Sequence, residues 1–251
     1  MTKADWVFRP EHFLRYVRRV RNLRAAQMQI PPRLLLVFGG DDWRAFRRAL
    51  TAKPIDWHRW LCVGRARNRR VAVLRTMIGS PAAATALDEA ATLGARQILT
   101  FGACGSLLKD LPIGSVVVPT RAYSDEGTSR HYGGTRWSRP DAAMVDAIRA
   151  ACRRHSLPYR EGGVWTTDAP YRESRSKARS LVARGVIAVD MEASALYAVA
   201  HSRRLRAASV FVVSDELGGK GWNAGFRDPV FRRGKRMAMR AVIDAISRGV
   251  L

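Results

Sequence analysis

Residues 185 to 204 read "GVIAVDMEASALYAVAHSRR", an apolar run that turns at Asp190-Met191-Glu192 into a second apolar run of helical length. From Met191 to Ala200 almost every residue is apolar, and the neighbours of Glu192 three, four and seven positions on are Ala195, Leu196 and Val199. A helix without a polar stripe is wrapped in protein. Glu192 therefore sits at the mouth of a buried helix, where an unpaired carboxylate costs several kcal/mol. It must meet the helix N-terminus, a cation or a ligand rich in hydrogen-bond donors.

The same alternation surrounds this segment. "RLLLVFGGDDWRAFRRAL" reads as a strand, a Gly-Gly turn and a helix, and "RVAVLRTMIGSPAAATALDEAATLG" as a strand, a Gly-Ser-Pro turn and a helix. "ARQILTFGACGSL" is a strand ending in small residues, "GSVVVPTRAYSD" is another, and "AASVFVVSDELGG" is a late one. Strands alternating with helices indicate an α/β protein, with a mixed, mostly parallel central sheet flanked by helices on both faces. With no repeat or Pro-rich linker at which to divide the chain, residues 1–251 are expected to form a single domain. Residues 5 to 28 read as an amphipathic opening helix, so residues 1–30 form a helical extension.

Open α/β sheets bind ligands beyond the carboxyl ends of their strands. Leu34 to Phe38 runs into Gly39-Gly40-Asp41-Asp42, Ile98 to Phe101 into Gly102-Ala103-Cys104-Gly105, and Val210 to Val213 into Ser214-Asp215-Glu216. These ends are expected to share one rim with the Asp-Met-Glu turn.

With 251 residues, 47% of them hydrophobic, the chain can bury one substantial core. It has no run of about 18 uncharged apolar residues, and its start, "MTKADWVFRPEHF", lacks the basic-then-apolar plan of a signal peptide. A soluble, cytoplasmic protein is expected. Cys62, Cys104 and Cys152 show no CxxC pairing, and the histidines show no metal-ligand spacing, so neither disulfide nor metal is expected. The net charge of +23 invites a nucleic-acid reading. However, the basic residues are nearly all arginine and are spread along the chain ("RYVRRVRNLR", "RARNRR", "FRRGKRMAMR") with no nucleic-acid module around them. Solvated helix faces are the expectation, with a field that attracts phosphate and other small anions.

Gly39-Gly40 with Arg44 has the makings of an anion cradle: glycine amides and a guanidinium one turn on face the same point. An ordinary strand-to-helix turn fits the same residues. The stretch is neither a P-loop nor a dinucleotide fingerprint. Gly102-Ala103-Cys104-Gly105 permits close approach of a ligand to the backbone, with Cys104 a buried small hydrophobe rather than a nucleophile. Asp215, after "ASVFVV", lies at a strand end, where a partly desolvated carboxyl serves either as a general acid or as a turn cap.

Taken together, "FGGDDWR", "ILTFGACGSLLKDLPIGSVVVPTRAYSDEGTSRHY", "GVIAVDMEASALYAVA" and "AASVFVVSDEL" resemble the purine nucleoside phosphorylase and uridine phosphorylase family, which also contains nucleosidases. The likeness runs from residue 33 to about 217. It implies a nucleoside phosphorylase that uses inorganic phosphate as co-substrate, needs no other cofactor and yields a free base and ribose 1-phosphate. It further implies that Met191 and Glu192 hold the ribose, that Ser214 and Asp215 meet the base with Asp215 as the acid, and that Gly102 and Thr167 line the substrate site. Gly40, Arg44 and Arg59 match the phosphate positions, with Arg59 lent by a neighbouring subunit. A homo-oligomer, dimer or hexamer, with shared active sites follows. His12 is a loose match to a histidine that family members also lend across the interface.

The chain departs from the family at Thr100 and Ala103, which stand where phosphorylases usually carry an Arg and a Ser or Thr on phosphate. Arg75 on the neighbouring strand is a substitute. If the anion site fails, water is the nucleophile and the protein is a nucleosidase that needs a base such as Glu192 or Asp41. A basic binding protein without catalysis is a third reading. "TTDAPYRESRSKAR" lacks the Gln-x-Arg pair with which uridine phosphorylases read uracil, and this with Asp215 points to a purine-type base. The Gly-rich stretch after Asp215, residues 216–227, is either a lid or a surface loop.

Overall fold

In the computed structural model, which describes residues 6–248, the chain opens with α1 (Pro10–Val20) and the single turn α2 (Ala25–Met28). The opening helix expected over 5–28 is thus two pieces, and residue 5 lies outside the described residues. Asn22, at φ 50°, takes the left-handed conformation that ends helices and that Asn tolerates better than most residues.

Next come β1 (Arg33–Val37), α3 (Gly40–Ala49), β2 (Lys53–Ile55), β3 (His58–Ala66), β4 (Arg69–Arg75) and α4 (Ser80–Thr92). The middle of the chain supplies β5 (Gln97–Ser106), β6 (Val116–Asp125), β7 (Trp137–Ser138), α5 (Ala142–Arg154), β8 (Arg160–Thr167) and α6 (Arg175–Val182). The last elements are β9 (Val186–Asp190), α7 (Ala193–Ser202), β10 (Arg206–Glu216), β11 (Asn223–Ala224) and α8 (Pro229–Arg248).

All the strands belong to one mixed sheet. Its parallel pairs are β1–β4, β1–β5, β5–β10, β6–β8 and β8–β9. Antiparallel pairing of β6 with β10 and of β5 with β9 closes five strands into a ring, β5–β10–β6–β8–β9 and back to β5. From β5 an arm extends through β1 and β4 to the antiparallel β3 and β2. Closure leaves those five strands no free edge.

Helices cover both faces. Leu35 and Val37 of β1 pack with Phe46 of α3, Ile148 of α5 and Val242 of α8, while Leu34 and Leu36 pack with Leu87 of α4 and Leu196 of α7. A strand buried on both faces has no polar side to show, which is why "RLLLV" and "ASVFVV" are continuous apolar runs.

Gly102 to Gly105 do not lie beyond a strand end, as the sequence suggested. They lie inside β5, which continues to Ser106 with β10 beside it. The glycines serve close packing rather than a turn: a Cβ on Gly102 would stand 3.1 Å from the Phe38 ring, and one on Gly105 would stand 2.5 Å from Leu217.

Candidate active site

At the joint between β9 and α7 two carboxylates have opposite surroundings. Asp190 Oδ1 accepts the Thr166 hydroxyl at 2.7 Å, and Oδ2 accepts the amides of Glu192 and Ala193 at 3.0 and 2.6 Å. Asp190 thus caps α7, a position that its spacing of three from Ala193 fits. Glu192 does not cap the helix. Glu192 is 5% exposed, and its carboxylate accepts the Gly79 amide at 2.6 Å. The donors that the sequence expected from a ligand are therefore joined by one from the chain itself.

Burial, and then the charge of Asp190, raise the Glu192 carboxyl to about 8. Burial raises Asp190 as well, against three hydrogen bonds that favour its ionised form. The charge of the pair accordingly rests on Asp190 and the proton on Glu192. Ser80 completes the clasp by donating its hydroxyl to the Met191 carbonyl at 2.7 Å.

Asp215 lies across the ring. It pairs in register with Gly105 of β5, whose other neighbour is Val189 of β9. Two strand spacings, roughly 10 Å, thus separate the backbones of Asp215 and Val189, one residue before Asp190. The register slips at Ser214, whose hydroxyl donates to Asp215 Oδ1 at 2.6 Å and has the Cys104 carbonyl 3.2 Å away as its other acceptor. Trp222 Nε1 donates to Asp215 Oδ2 at 2.9 Å, and β11 pairs back on β10, so residues 216–227 fold over the acid. Cys104 is buried between the two carboxylate groups. Burial first, then the charges of Asp190 and Asp215, push its thiol well up, which suits a packing residue and not a nucleophile.

The basic groups gather at the start of α3. A Cβ placed on Gly40 would lie 3.5 Å from Nη1 of both Arg44 and Arg75, so two guanidiniums converge on the Gly40 backbone. Arg75 enters because β4 runs parallel to β1 and sets it opposite Val37. Its Nε donates to the Phe38 carbonyl at 3.4 Å, and its guanidinium rests 4.4 Å from the centre of the Trp60 ring. Arg59 stacks on the same ring at 4.8 Å, within its own chain. Arg44 pairs with Asp41, a side chain 90% exposed. Thr100 is wholly buried with its hydroxyl unpaired, and Ala103 is exposed.

Thr167, 3% exposed, ends β8 one residue after Thr166, which stands opposite Asp190. Gly102 is walled in by Phe38 and Phe211. His12 lies against Phe8 and Arg9, and no contact found among the described residues joins it to Glu192 or Asp215. Sequence reasoning assigned no role to Asp190, Gly79 or Trp222. The spacing of Asp190 from Ala193 was the one local signal available.

A family model described as the phosphorylase superfamily matches residues 58–247. The chain belongs to the phosphorylase superfamily. The match runs on through α8, past residue 217 where the motifs thin out, and begins after the Gly40–Arg44 segment. A guanosine phosphorylase of Halorubrum lacusprofundi is 31% identical over 146 residues, 58% of this chain and 61% of that protein. A DeoD-type purine nucleoside phosphorylase of Myxococcus xanthus is 32% identical over 157 residues, 61% of this chain and 66% of that protein. The matched stretch therefore spans less than two thirds of either relative. The crystal structure of a purine nucleoside phosphorylase from Toxoplasma gondii in complex with immucillin-H superposes with a TM-score of 0.79 at 19% identity, covering 88% of this chain and 92% of that one. The superfamily member shares that fold, helices on both faces of a mixed sheet.

Proposed function

We propose that this superfamily member cleaves the N-glycosidic bond of purine nucleosides with inorganic phosphate, releasing free base and ribose 1-phosphate. One observation carries the reading. β4 ends at Arg75, one of the two guanidiniums at Gly40, and the loop that follows it carries, four residues on, Gly79, which holds Glu192. A phosphate bound at Gly40 and a sugar bound at Glu192 share that loop as a wall. The names of the relatives, guanosine and purine nucleoside phosphorylase, support the same chemistry.

Glu192 releases its proton to solvent and, ionised, accepts the sugar hydroxyls, while Met191 packs against the sugar. As the glycosidic bond breaks, its electron pair goes to the base and positive charge builds at the anomeric carbon. Phosphate held by Gly40, Arg44 and Arg75 stabilises that charge and then attacks the carbon. Asp215 donates a proton to the departing base, a step that contributes roughly 10²- to 10⁴-fold. Arg75 takes the part left empty by Thr100, whose hydroxyl is buried, and by Ala103, which has no donor. No cofactor beyond phosphate enters.

Hydrolysis fits less well. The bases it would need are Glu192, which carries the proton of its pair, and Asp41, which is exposed and paired with Arg44. Met77 and Ile78, 70% and 67% exposed in the same loop, supply an apolar patch for a homo-oligomer, and the cytoplasm is the compartment we assign. The test is base release from guanosine, inosine, adenosine and uridine with and without phosphate. Phosphate-dependent release of purines with formation of sugar 1-phosphate is expected, and release indifferent to phosphate sinks the reading.

A further inference from the structure

The two guanidiniums at Gly40 use little of the net charge of +23, and a further part of it is gathered in one place. Arg44, Arg47, Arg48, Thr51, Ala52 and Lys53 line a cleft of about 440 Å³ between α3 and β2. No acid is among them. Arg44 pairs with Asp41, outside the lining, and among the described residues Arg47, Arg48 and Lys53 form no ion pair.

The fold holds these cations together against their repulsion. Arg47 and Arg48 stand three and four residues after Arg44, which puts their Cβ atoms roughly 5–6 Å from its own, and like charges at that spacing destabilise a helix. Arg47 is fixed by its Nε, which donates to the Ala52 carbonyl at 3.4 Å, and by the Trp43 ring, 5.5 Å from its guanidinium carbon. The chain then turns back. The amides of Thr51 and Ala52 donate to the Arg48 and Arg47 carbonyls at 3.1 and 2.8 Å, and Lys53 arrives at the start of β2.

Two features exceed what a helix end needs. The dipole leaves about half a negative charge at a helix C-terminus, so Arg47 and Arg48 in the last turn outweigh it without Arg44 or Lys53. Thr51 ends α3 at φ 47°, a left-handed position that glycine usually fills and that strains a β-branched residue. Its hydroxyl lines the cleft and makes no hydrogen bond among the described residues. Glycine would relieve the strain and remove that donor.

A ligand that fits here carries several negative charges in a row and accepts hydrogen bonds along its length. A single phosphate engages one or two guanidiniums and leaves the other cations unmatched. We infer that the cleft between α3 and β2 is a binding site for a condensed phosphate chain, the chemistry shared by inorganic tripolyphosphate and nucleoside triphosphates. Arg44, Arg47, Arg48 and Lys53 meet its charges, and the Thr51 hydroxyl donates to it. The site is separate from the one at Gly40, although Arg44 borders both.

Isothermal titration calorimetry of the full chain with tripolyphosphate, ATP and orthophosphate tests this, at about 0.15 M salt to screen diffuse attraction. One tripolyphosphate per chain is expected, bound more tightly than orthophosphate. Arg48 and Lys53 are exposed, so Arg48→Ala and Lys53→Ala are expected to melt like the wild type. Each is expected to weaken tripolyphosphate roughly tenfold, the lower end of the worth of a hydrogen bond to a charged group. Thr51→Gly is expected to melt no lower than the wild type yet bind the chain more weakly, a combination that a merely structural Thr51 would not give. Arg75→Ala is expected to leave tripolyphosphate binding unchanged. ATP bound more tightly than tripolyphosphate assigns the cleft to nucleotides, and ATP bound no more tightly assigns it to the inorganic chain, with loss in the same variants upholding the site in either case. Affinity that survives Arg48→Ala and Lys53→Ala, or that falls with Arg75→Ala instead, overturns the proposal, as does uptake of several equivalents. So does a protein that ignores tripolyphosphate and binds a short oligodeoxythymidylate, which would make the cleft a nucleic-acid contact.

Discussion

Gly79 and Glu192, 113 positions apart in the chain, are joined by a 2.6 Å hydrogen bond from the glycine amide to the carboxylate. The bond depends on conformation rather than space. Gly79 has φ 106°, a region that side-chain-bearing residues rarely enter, yet a Cβ there would meet nothing. Gly79→Ala is therefore expected to cost about 1–2 kcal/mol of backbone strain. It is also expected to raise KM for the nucleoside more than KM for phosphate, because the amide turns away from Glu192 while Arg75 stays on its strand. Steady-state kinetics with each substrate varied in turn checks this.

Glu192 sets a pH dependence whose sign follows from its surroundings. A carboxyl raised to about 8 is protonated in the folded protein at pH values where the unfolded chain, near 4.5, has released it. Folding thus takes up a proton between those values, and the stability linked to it falls as pH rises from about 4.5 through about 8 and levels off above that. Glu192→Gln removes this term, so the variant is expected to gain stability relative to wild type from pH 5 to pH 9 in denaturant melts. Sugar binding runs the other way. In the proposed reaction the ionised form accepts the hydroxyls, so kcat/KM in the wild type is expected to climb towards pH 8, by up to about tenfold per pH unit below it, and this limb is absent in the variant.

Some of this was legible in the sequence and some was not. Glu192 stood out because every neighbour on its helix face is apolar, and β1, β5 and β10 stood out because strands buried on both faces carry unbroken apolar runs. The closure of the ring was hidden: pairing of β5 with β9 involves only Gly105 and Ser106, and no local pattern encodes it. Arg75 reaches Gly40 through the β1–β4 register, a long-range fact, and for the same reason "GACG" looked like a turn until two neighbouring strands held it extended. Trp222 lay in a Gly-rich stretch equally compatible with a bare surface loop.

In the proposed phosphate site, Arg75 is the guanidinium held in place, resting on the Trp60 ring beside Gly40. Arg75→Ala is expected to raise KM for phosphate roughly 10- to 100-fold, and Arg75→Lys, which keeps the charge but not the planar fork, to recover part of it. Arg44→Ala is expected to do less, because Arg44 is 57% exposed and shared with Asp41. An equal effect of the two alanine variants on phosphate KM would contradict this ranking.

Asp244 on α8 anchors three arginines, Arg67, Arg154 and Arg248, at 3.1, 2.7 and 2.8 Å. Although burial works against it, hydrogen bonds and charge from Arg248 and Arg154 hold its carboxyl below the usual value of 3.8. The linked stability is present above that value and is lost as pH falls through the lower, folded-state one. Asp244→Ala is expected to cost about 1–3 kcal/mol at pH 7, since the arginines are partly solvated, and to flatten the acid limb of the stability curve. Chemical denaturation at pH 7 and pH 3 measures both.

In the proposed reaction, Trp222 must leave Asp215 before the acid can reach the base. In the structure both oxygens of Asp215 accept, Oδ1 from Ser214 and Oδ2 from the Trp222 indole. A carboxyl that donates to a departing base needs one of those oxygens turned to the base, and the indole N–H is the removable donor, being 65% exposed on a loop anchored by the short β11. Binding of a base is therefore expected to release Trp222 from Asp215 and shift its fluorescence, a change that Trp222→Phe abolishes while keeping an aromatic ring beside Phe226. The same variant spares the base the competition for Oδ2, so KM for the nucleoside is expected to fall or hold. A steep rise in KM would instead assign the indole to the bound base rather than to Asp215.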